Sequence, residues 1–227
     1  MNLAGEYLRQ ARCILWDWNG TLLDDVSICI NLINGMLTRR GHPAISRERY
    51  REIFTFPVKE YYKKAGFDLE NEDFGQLAVE FIQGYHAAFP NAGLFKESRL
   101  LLLAFRNASL PQAILSAMEQ GSLQYSLASH CIDSFFSVIQ GIDNHHADGK
   151  LEAGRALMEK LTILPSDILL IGDTLHDAEV ADALGVNCLL VASGHQSIHR
   201  LQQSGKTVVP GLASLLPLVQ GQVIQDP

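Results

Sequence analysis

Three aspartates, a lysine and a serine in this 227-residue chain stand where their side chains could act together. Asp17 follows an apolar run and opens the stretch Asp17, Trp18, Asn19, Gly20, Thr21. Ser116 follows a second apolar run, and Asp173 and Asp177 follow another that ends at Gly172. Lys150 opens a stretch with helical spacing. Carboxylates gathered in one cleft repel, and some keep their protons at pH 7 unless a cation relieves them. Mg²⁺, a hard ion that prefers oxygen ligands, suits such a set. Lys150 adds a fixed positive charge and Ser116 a hydroxyl. With a cation, these are the groups needed to hold a transferring phosphoryl group. Asp17 would then be the nucleophile. Gly20 permits a tight turn whose amide could reach a phosphate oxygen.

The elements that must position these residues are legible as alternating patterns. Short apolar runs at 13–16, 113–115, 137–139, 168–171, 188–192 and, more weakly, 207–209 look apolar on both faces, as strands of a buried parallel sheet do. Helical spacing predicts helices over 96–108, 122–131, 151–161 and 178–184, the last stopped by Gly185. Strand and helix in alternation imply a doubly wound α/β sheet with right-handed crossovers. In such sheets ligands bind beyond the carboxyl ends of the strands, which is where the polar residues above fall. The alternation lapses between 26 and 90. Four helices are predicted there, over 26–40, 47–54, 58–64 and 72–88, with turns at 41–43 and 66–68. The expected organisation is an α/β core of residues 1–25 and 91–227, with an all-helical insert of residues 26–90.

Composition narrows the function. Hydrophobic residues make up 47% of the chain and charged residues 19%, which favours a sizeable core over disorder. The net charge of −7 argues against nucleic acid or an anionic membrane as partner, while leaving room for an anionic small molecule in a locally positive pocket. Cys13, Cys29, Cys131 and Cys188 form no zinc knuckle or redox pair and suit a reducing cytoplasm. The first twelve residues lack the apolar stretch of a signal peptide, and no apolar run is long enough to span a bilayer. A cytoplasmic monomer or homodimer acting on a small phosphorylated molecule is expected.

Taken with their order along the chain, these motifs resemble those of the haloacid dehalogenase superfamily, most nearly its phosphoglycolate phosphatase-like members with a helical cap. Asp17 to Leu22 matches the first motif of that family, Ser116 the second, Lys150 the third, and Ile171 to Asp177 the fourth. The long gap between Asp17 and Ser116 leaves room for the cap, and the short one between Ser116 and Lys150 leaves none for a second. The resemblance implies a Rossmann-like core with the cap inserted after the first strand. It implies that Asp17 becomes an aspartyl phosphate, and that Ser116, Lys150, Gly20 and Thr21 bind phosphate. Mg²⁺ would be held by Asp17, Asp173 and the backbone carbonyl of Asn19, with Asp177 behind them or acting through water. Rival readings are a metal-independent 2-haloacid dehalogenase, and a weakly catalytic binding or regulatory module on the same fold.

One position departs from the family pattern. Two residues after the nucleophile, the phosphatases usually carry an aspartate that protonates the leaving group; here it is Asn19. An amide donates hydrogen bonds but does not exchange a proton at pH 7. General acid–base catalysis contributes roughly 10²–10⁴-fold. Three consequences are open: a preference for good leaving groups, another acid such as His176, His145 or His146, or a protein retained for binding. Asp24 and Asp25 read as acids at a helix N-terminus, and His145 and His146 as solvent-facing residues of a polar loop. His195 follows the fifth run and could border the site. Trp16 reads as core, and Trp18 as a residue shaping the site or lying beneath the cap. Tyr61 and Tyr62 read as core residues of the cap that could also face substrate. The expected outcome of Asn19→Asp is faster turnover of an alkyl phosphate; no gain with the fold intact would place proton transfer elsewhere.

Overall fold

The computed structural model describes residues 3–143 and 149–223. Six parallel strands form the main sheet: β1 (Cys13–Trp16), β4 (Gln112–Glu119), β5 (Val138–Ile142), β6 (Ile168–Gly172), β7 (Asn187–Val191) and β8 (Thr207–Val209). Their spatial order is β5-β4-β1-β6-β7-β8. The chain therefore builds outward from β1 on one side, then crosses back to build outward on the other. The reversal lies between β1 and β6, so a crevice opens where their carboxyl ends part. Asp17 and Asp173 each stand just past one of these two ends.

Strand residues alternate between two cores, as the period of two requires. Ile14, Trp16, Ile114, Ile171 and Leu189 face one side, and Leu15, Ala113, Leu115, Leu170 and Leu190 the other. The first face is covered by α1 (Leu3–Gln10), α6 (Ser98–Asn107), α7 (Gln120–Ser129) and α11 (Leu216–Val223); Leu8, Phe105 and Leu123 are buried there. The second is covered by α8 (Lys150–Lys160), α9 (Leu175–Leu184) and α10 (Ile198–Leu201), through Leu157, Val180 and Leu201. Trp16 donates its Nε1–H to Gln112 Oε1 at 3.0 Å and meets Phe105 edge-on at 5.8 Å, so its one polar atom is satisfied inside the core.

Four helices rise between residues 24 and 93: α2 (Val26–Arg39), α3 (Arg47–Ile53), α4 (Val58–Ala65) and α5 (Phe74–Ala88). They share a separate core that includes Ile33, Met36, Tyr50, Tyr62 and Leu77. Ser46 and Asp73 cap α3 and α5, which sets their starts. A two-stranded antiparallel ribbon, β2 (Leu23–Asp24) with β3 (Gly93–Leu94), carries the chain into and out of this helical cap. The sequence reading missed this ribbon, because two-residue strands have no period to detect. It also started α9 three residues late. Thr174 and Asp177 form a reciprocal capping box that begins the helix at Leu175. The anticipated stop at Gly185 is present, in the left-handed region at φ +71°. Strand β5 runs to Ile142 rather than ending at 139, since Ile142 pairs with Glu119 across a register shift in β4. The amino-terminal helix α1 was also not anticipated. No helix among the described residues is long and apolar enough to cross a membrane.

Candidate active site

Asp17 leaves β1 into the crevice, and its carboxylate is buried. Lys150, the first residue of α8, reaches across to Asp17 Oδ1 at 2.5 Å and to Asp177 Oδ1 at 2.6 Å. The other oxygen of Asp177 accepts from Thr174 Oγ1 at 2.6 Å and from the Thr174 amide at 2.9 Å. Asp177 is thereby fixed by the start of α9. A Cβ on Gly172 would collide with its carboxylate, so glycine is required there. Asp173 accepts from Thr21 Oγ1 at 3.1 Å and from the His195 amide at 2.6 Å. The carboxylates of Asp17, Asp173 and Asp177 lie within 4.8 Å of one another.

Burial shapes the charges. It pushes Asp17 up to about 6, with Lys150 pulling against it, and it pushes Asp173 well above the usual carboxylate range. Asp177 is also buried, but Lys150 outweighs that and holds it low. Burial alone would lower Lys150; the paired carboxylates of Asp17 and Asp177 raise it instead. Asp17 Oδ2 is buried with no hydrogen-bond partner among the described residues. An orphaned carboxylate oxygen beside two more carboxylates fits a hard cation: the donor set is all oxygen, and only one ammonium opposes three acids.

Asn19 turns away from proton chemistry. Its Nδ2 donates to Asp25 Oδ2 at 2.9 Å and to the Tyr85 hydroxyl oxygen at 2.7 Å, while its Oδ1 accepts from Ser116 Oγ at 3.4 Å. Ser116 is fully buried and sits inside β4, which continues to Glu119. The Gly20 amide, expected to meet phosphate, donates instead to Asp25 Oδ1 at 3.0 Å and to the Leu23 carbonyl at 2.9 Å. Gly20 has φ +76°, and a Cβ there would strike Asp173 and His195. Thr21, also expected at phosphate, gives its hydroxyl to Asp173. Both residues therefore build the scaffold of the site.

Asp25 corrects the sequence reading. It makes no side-chain cap on α2. Its carboxylate is buried and accepts from Gly20, from Asn19 and, at 2.7 Å, from the Tyr85 hydroxyl. It also faces His195 Nε2 at 3.2 Å, and the other ring nitrogen of His195 lies 2.8 Å from the Tyr50 hydroxyl. Asp24, its neighbour, is exposed. Two adjacent acids look alike in sequence; the ribbon turns one out and the other in. His195, foreseen as a border residue, is buried inside this network.

The remaining candidates separate cleanly. His176 stacks 4.8 Å from Phe56, shares a cavity of about 80 Å³ with Asp17, Lys150 and Asp173, and has its Nε2 buried without a partner among the described residues. His145 and His146 lie outside the described residues. Trp18 is fully buried in the core of the first sheet face. Tyr61 and Tyr62 line a second, larger cavity beneath the cap.

The model of the family "Haloacid dehalogenase-like hydrolase" matches residues 14–191. The chain belongs to that family. The phosphoglycolate phosphatase of Synechococcus elongatus is 23% identical over 183 residues, covering 81% of this chain and 84% of its own. The tyrosine-protein kinase PtkA of Mycobacterium tuberculosis is 24% identical over 208 residues, covering 89% and 69%. A haloacid dehalogenase-like hydrolase from Streptococcus pneumoniae superposes with a TM-score of 0.76 at 20% identity, covering 92% and 98%, and so shares the fold.

The Asp25–His195 pair sets a pH dependence. Burial opposes charge on His195, but the Asp25 carboxylate outweighs it and holds the ring up at about 9, against 6.5 ordinarily. That contribution to stability is full below about pH 6.5 and is lost as pH rises through 9. Burial likewise opposes charge on Asp25, yet His195 wins and keeps it below 3.8, so its share is lost only as pH falls through that lower value. The thermal midpoint should fall between pH 6.5 and 9, and His195→Gln should flatten that fall while lowering the midpoint at pH 6. An equally steep fall in the variant would assign the dependence to other groups.

Proposed function

We propose that this protein is a Mg²⁺-dependent phosphohydrolase of a small phosphorylated molecule, with Asp17 as the nucleophile. The observation that carries the reading is the state of Asp17. One oxygen is fixed by Lys150, and the other is buried, unpartnered and beside a cavity. A carboxylate held in this way has a single oxygen free to attack. Asp17, Asp173 and the backbone carbonyl of Asn19 would hold Mg²⁺, with Asp177 locking Lys150 from behind. When bound, the ion supplies charge neutralisation for the carboxylates and for the phosphoryl oxygens. Relatives named as phosphoglycolate phosphatases and as a tyrosine-protein kinase both move phosphoryl groups, which supports the same reaction class here.

The chain's own residues divide the work. Lys150 and Ser116 hold phosphoryl oxygens, and Lys150 also keeps Asp17 ionised against its burial. Asp17 attacks phosphorus; the bond from phosphorus to the leaving oxygen breaks, and the electron pair goes with that oxygen. Water then attacks the aspartyl phosphate, and the Asp17 carboxylate is restored as inorganic phosphate departs. Asn19 cannot carry the proton of that water. His176, with its buried and unpartnered Nε2 on the wall of the same cavity, is the residue assigned to it.

Phosphate release from acyl and sugar phosphates, with Mg²⁺ and with chelator, tests the reading. Asp17→Asn should lose at least ~10³-fold in turnover. His176→Asn should slow turnover about 10²-fold and let the aspartyl phosphate accumulate in rapid-quench experiments. Metal-independent halide release from a 2-haloacid would favour the dehalogenase. Failure of every phosphoryl compound to turn over, with Mg²⁺ bound, would favour a binding module.

A further inference from the structure

The cap encloses a cavity of about 220 Å³ directly above the Asp17 site. Asn19, Phe54, Phe56, Ala117 and His195 line both this cavity and the smaller one around Asp17, so the two adjoin. A group esterified to a phosphate held near Asp17 would project into the larger space. Three features of its wall describe that group.

The wall is aromatic. Tyr50, Tyr61 and Tyr62 from α3 and α4, and Phe81 and Tyr85 from α5, converge on it. Rings of this kind pack edge-on or offset against another ring, at a gain beyond their buried area. An apolar cavity of about 150 Å³ accepts benzene, so this one has room for a single ring with small substituents. The wall also lacks cations. No lysine or arginine lines it among the described residues. Its acids are Asp25 and Glu119; of its two histidines, His195 is committed to Asp25, and His86 meets the ring of Phe89 edge-on. A substrate with a second anionic group, such as the carboxylate of 2-phosphoglycolate, would meet two acids and neither lysine nor arginine there, and would be desolvated at a cost. Finally, Tyr61 lines this wall, and its hydroxyl is buried without a hydrogen-bond partner among the described residues. A neutral polar substituent on the bound ring would satisfy it.

Asn19 points the same way from independent chemistry. With no acid at that position, the first step depends on a leaving group that departs unprotonated. A phenol, with a pKa near 10 like the tyrosine side chain, leaves far more readily than an alkoxide, whose conjugate acid lies near that of water at about 16. We infer that the substrate is an aryl phosphate: one uncharged aromatic ring, bearing a small neutral polar group, esterified to phosphate. The inference rests on the phosphohydrolase reading and specifies its substrate class. The bond between phosphorus and the aryl oxygen breaks with its electron pair passing to that oxygen. The phenolate leaves as the anion and takes its proton from solvent. Hydrolysis of the aspartyl phosphate then proceeds as described above.

Four compounds separate the ring from the leaving group: phenyl phosphate, 2-phenylethyl phosphate, acetyl phosphate and 2-phosphoglycolate, each assayed with Mg²⁺. Phenyl phosphate should have the highest kcat/KM, at least ~10²-fold above 2-phosphoglycolate. 2-Phenylethyl phosphate should bind Asp17→Asn about as tightly as phenyl phosphate by calorimetry, yet turn over at least ~10²-fold more slowly in the wild type. A 4-hydroxymethyl group on the phenyl ring should improve KM, and Tyr61→Phe should erase that gain. Ile82→Lys, which sets a cation at the half-buried wall of the cavity, should lower kcat/KM for phenyl phosphate and raise it for 2-phosphoglycolate. If acetyl phosphate and 2-phosphoglycolate match or exceed phenyl phosphate, the aryl inference falls and the phosphohydrolase reading stands. If none of the four is hydrolysed, both fall.

Discussion

Lys150 is the charge on which the site depends. Three carboxylates, those of Asp17, Asp173 and Asp177, are buried within a few ångströms of one another, and this one ammonium lies between two of them. Burying a charge without a partner costs several kcal/mol even after relaxation. The ammonium offsets part of that cost for Asp17 and most of it for Asp177, which is further held by Thr174 and the start of α9. Asp173 has no lysine beside it among the described residues; burial pushes it upward against the pull of His195. The site is therefore built with an unbalanced negative charge, and the imbalance falls where the proposed nucleophile and cation would stand. A cavity of neutral residues at the same place would be easier to fold and could do no phosphoryl chemistry.

A second buried network fastens the cap to this centre. Tyr50 and Tyr85 come from cap helices, Asp25 from the point where the ribbon enters α2, and His195 from the loop after β7. Around it, Arg51 donates to the carbonyl of Gln196 at 2.9 Å, and Gln196 donates to the carbonyl of Phe54 at 2.8 Å. Arg200 reaches the carbonyls of Glu52 and Phe54 from the core side. The position of Asn19 follows from this network. Its amide donates to Asp25 and to Tyr85, which an aspartate could not do unless protonated. Returning a carboxylate there would set two acids about one hydrogen bond apart and raise the pKa of one of them. The cleanest form of that exchange pairs Asn19→Asp with Asp25→Asn.

In the proposed reaction the two cavities divide recognition from chemistry. The smaller is lined by Asp17, Lys150, Asp173, Asp177 and His176, and the larger by the rings of the cap. The polar groups proposed to fix the phosphate belong to the core, where loops at the carboxyl ends of strands are held by the sheet. The apolar wall belongs to the cap helices, and its Tyr50, Tyr61 and Tyr62 are also part of the cap's own core.

The sequence by itself determined the sheet, the cap and the first-rank polar residues. Apolar runs that are hydrophobic on both faces fix buried parallel strands, and the residues that follow them must fall at the carboxyl edge. Asp17, Lys150, Asp173 and Asp177 were therefore legible from order and spacing, as was the departure at Asn19. The tertiary structure decided what those residues meet. That Asp25 rather than Asp24 is buried depends on which way a two-residue ribbon turns. That His195 is charged depends on a carboxylate 170 positions away in the chain. That the Gly20 amide and the Thr21 hydroxyl serve the scaffold depends on partners no local pattern reveals. The character of the larger cavity is of the same kind: its rings come from three helices and a loop, each with an ordinary core pattern, and only their convergence makes an uncharged aromatic space.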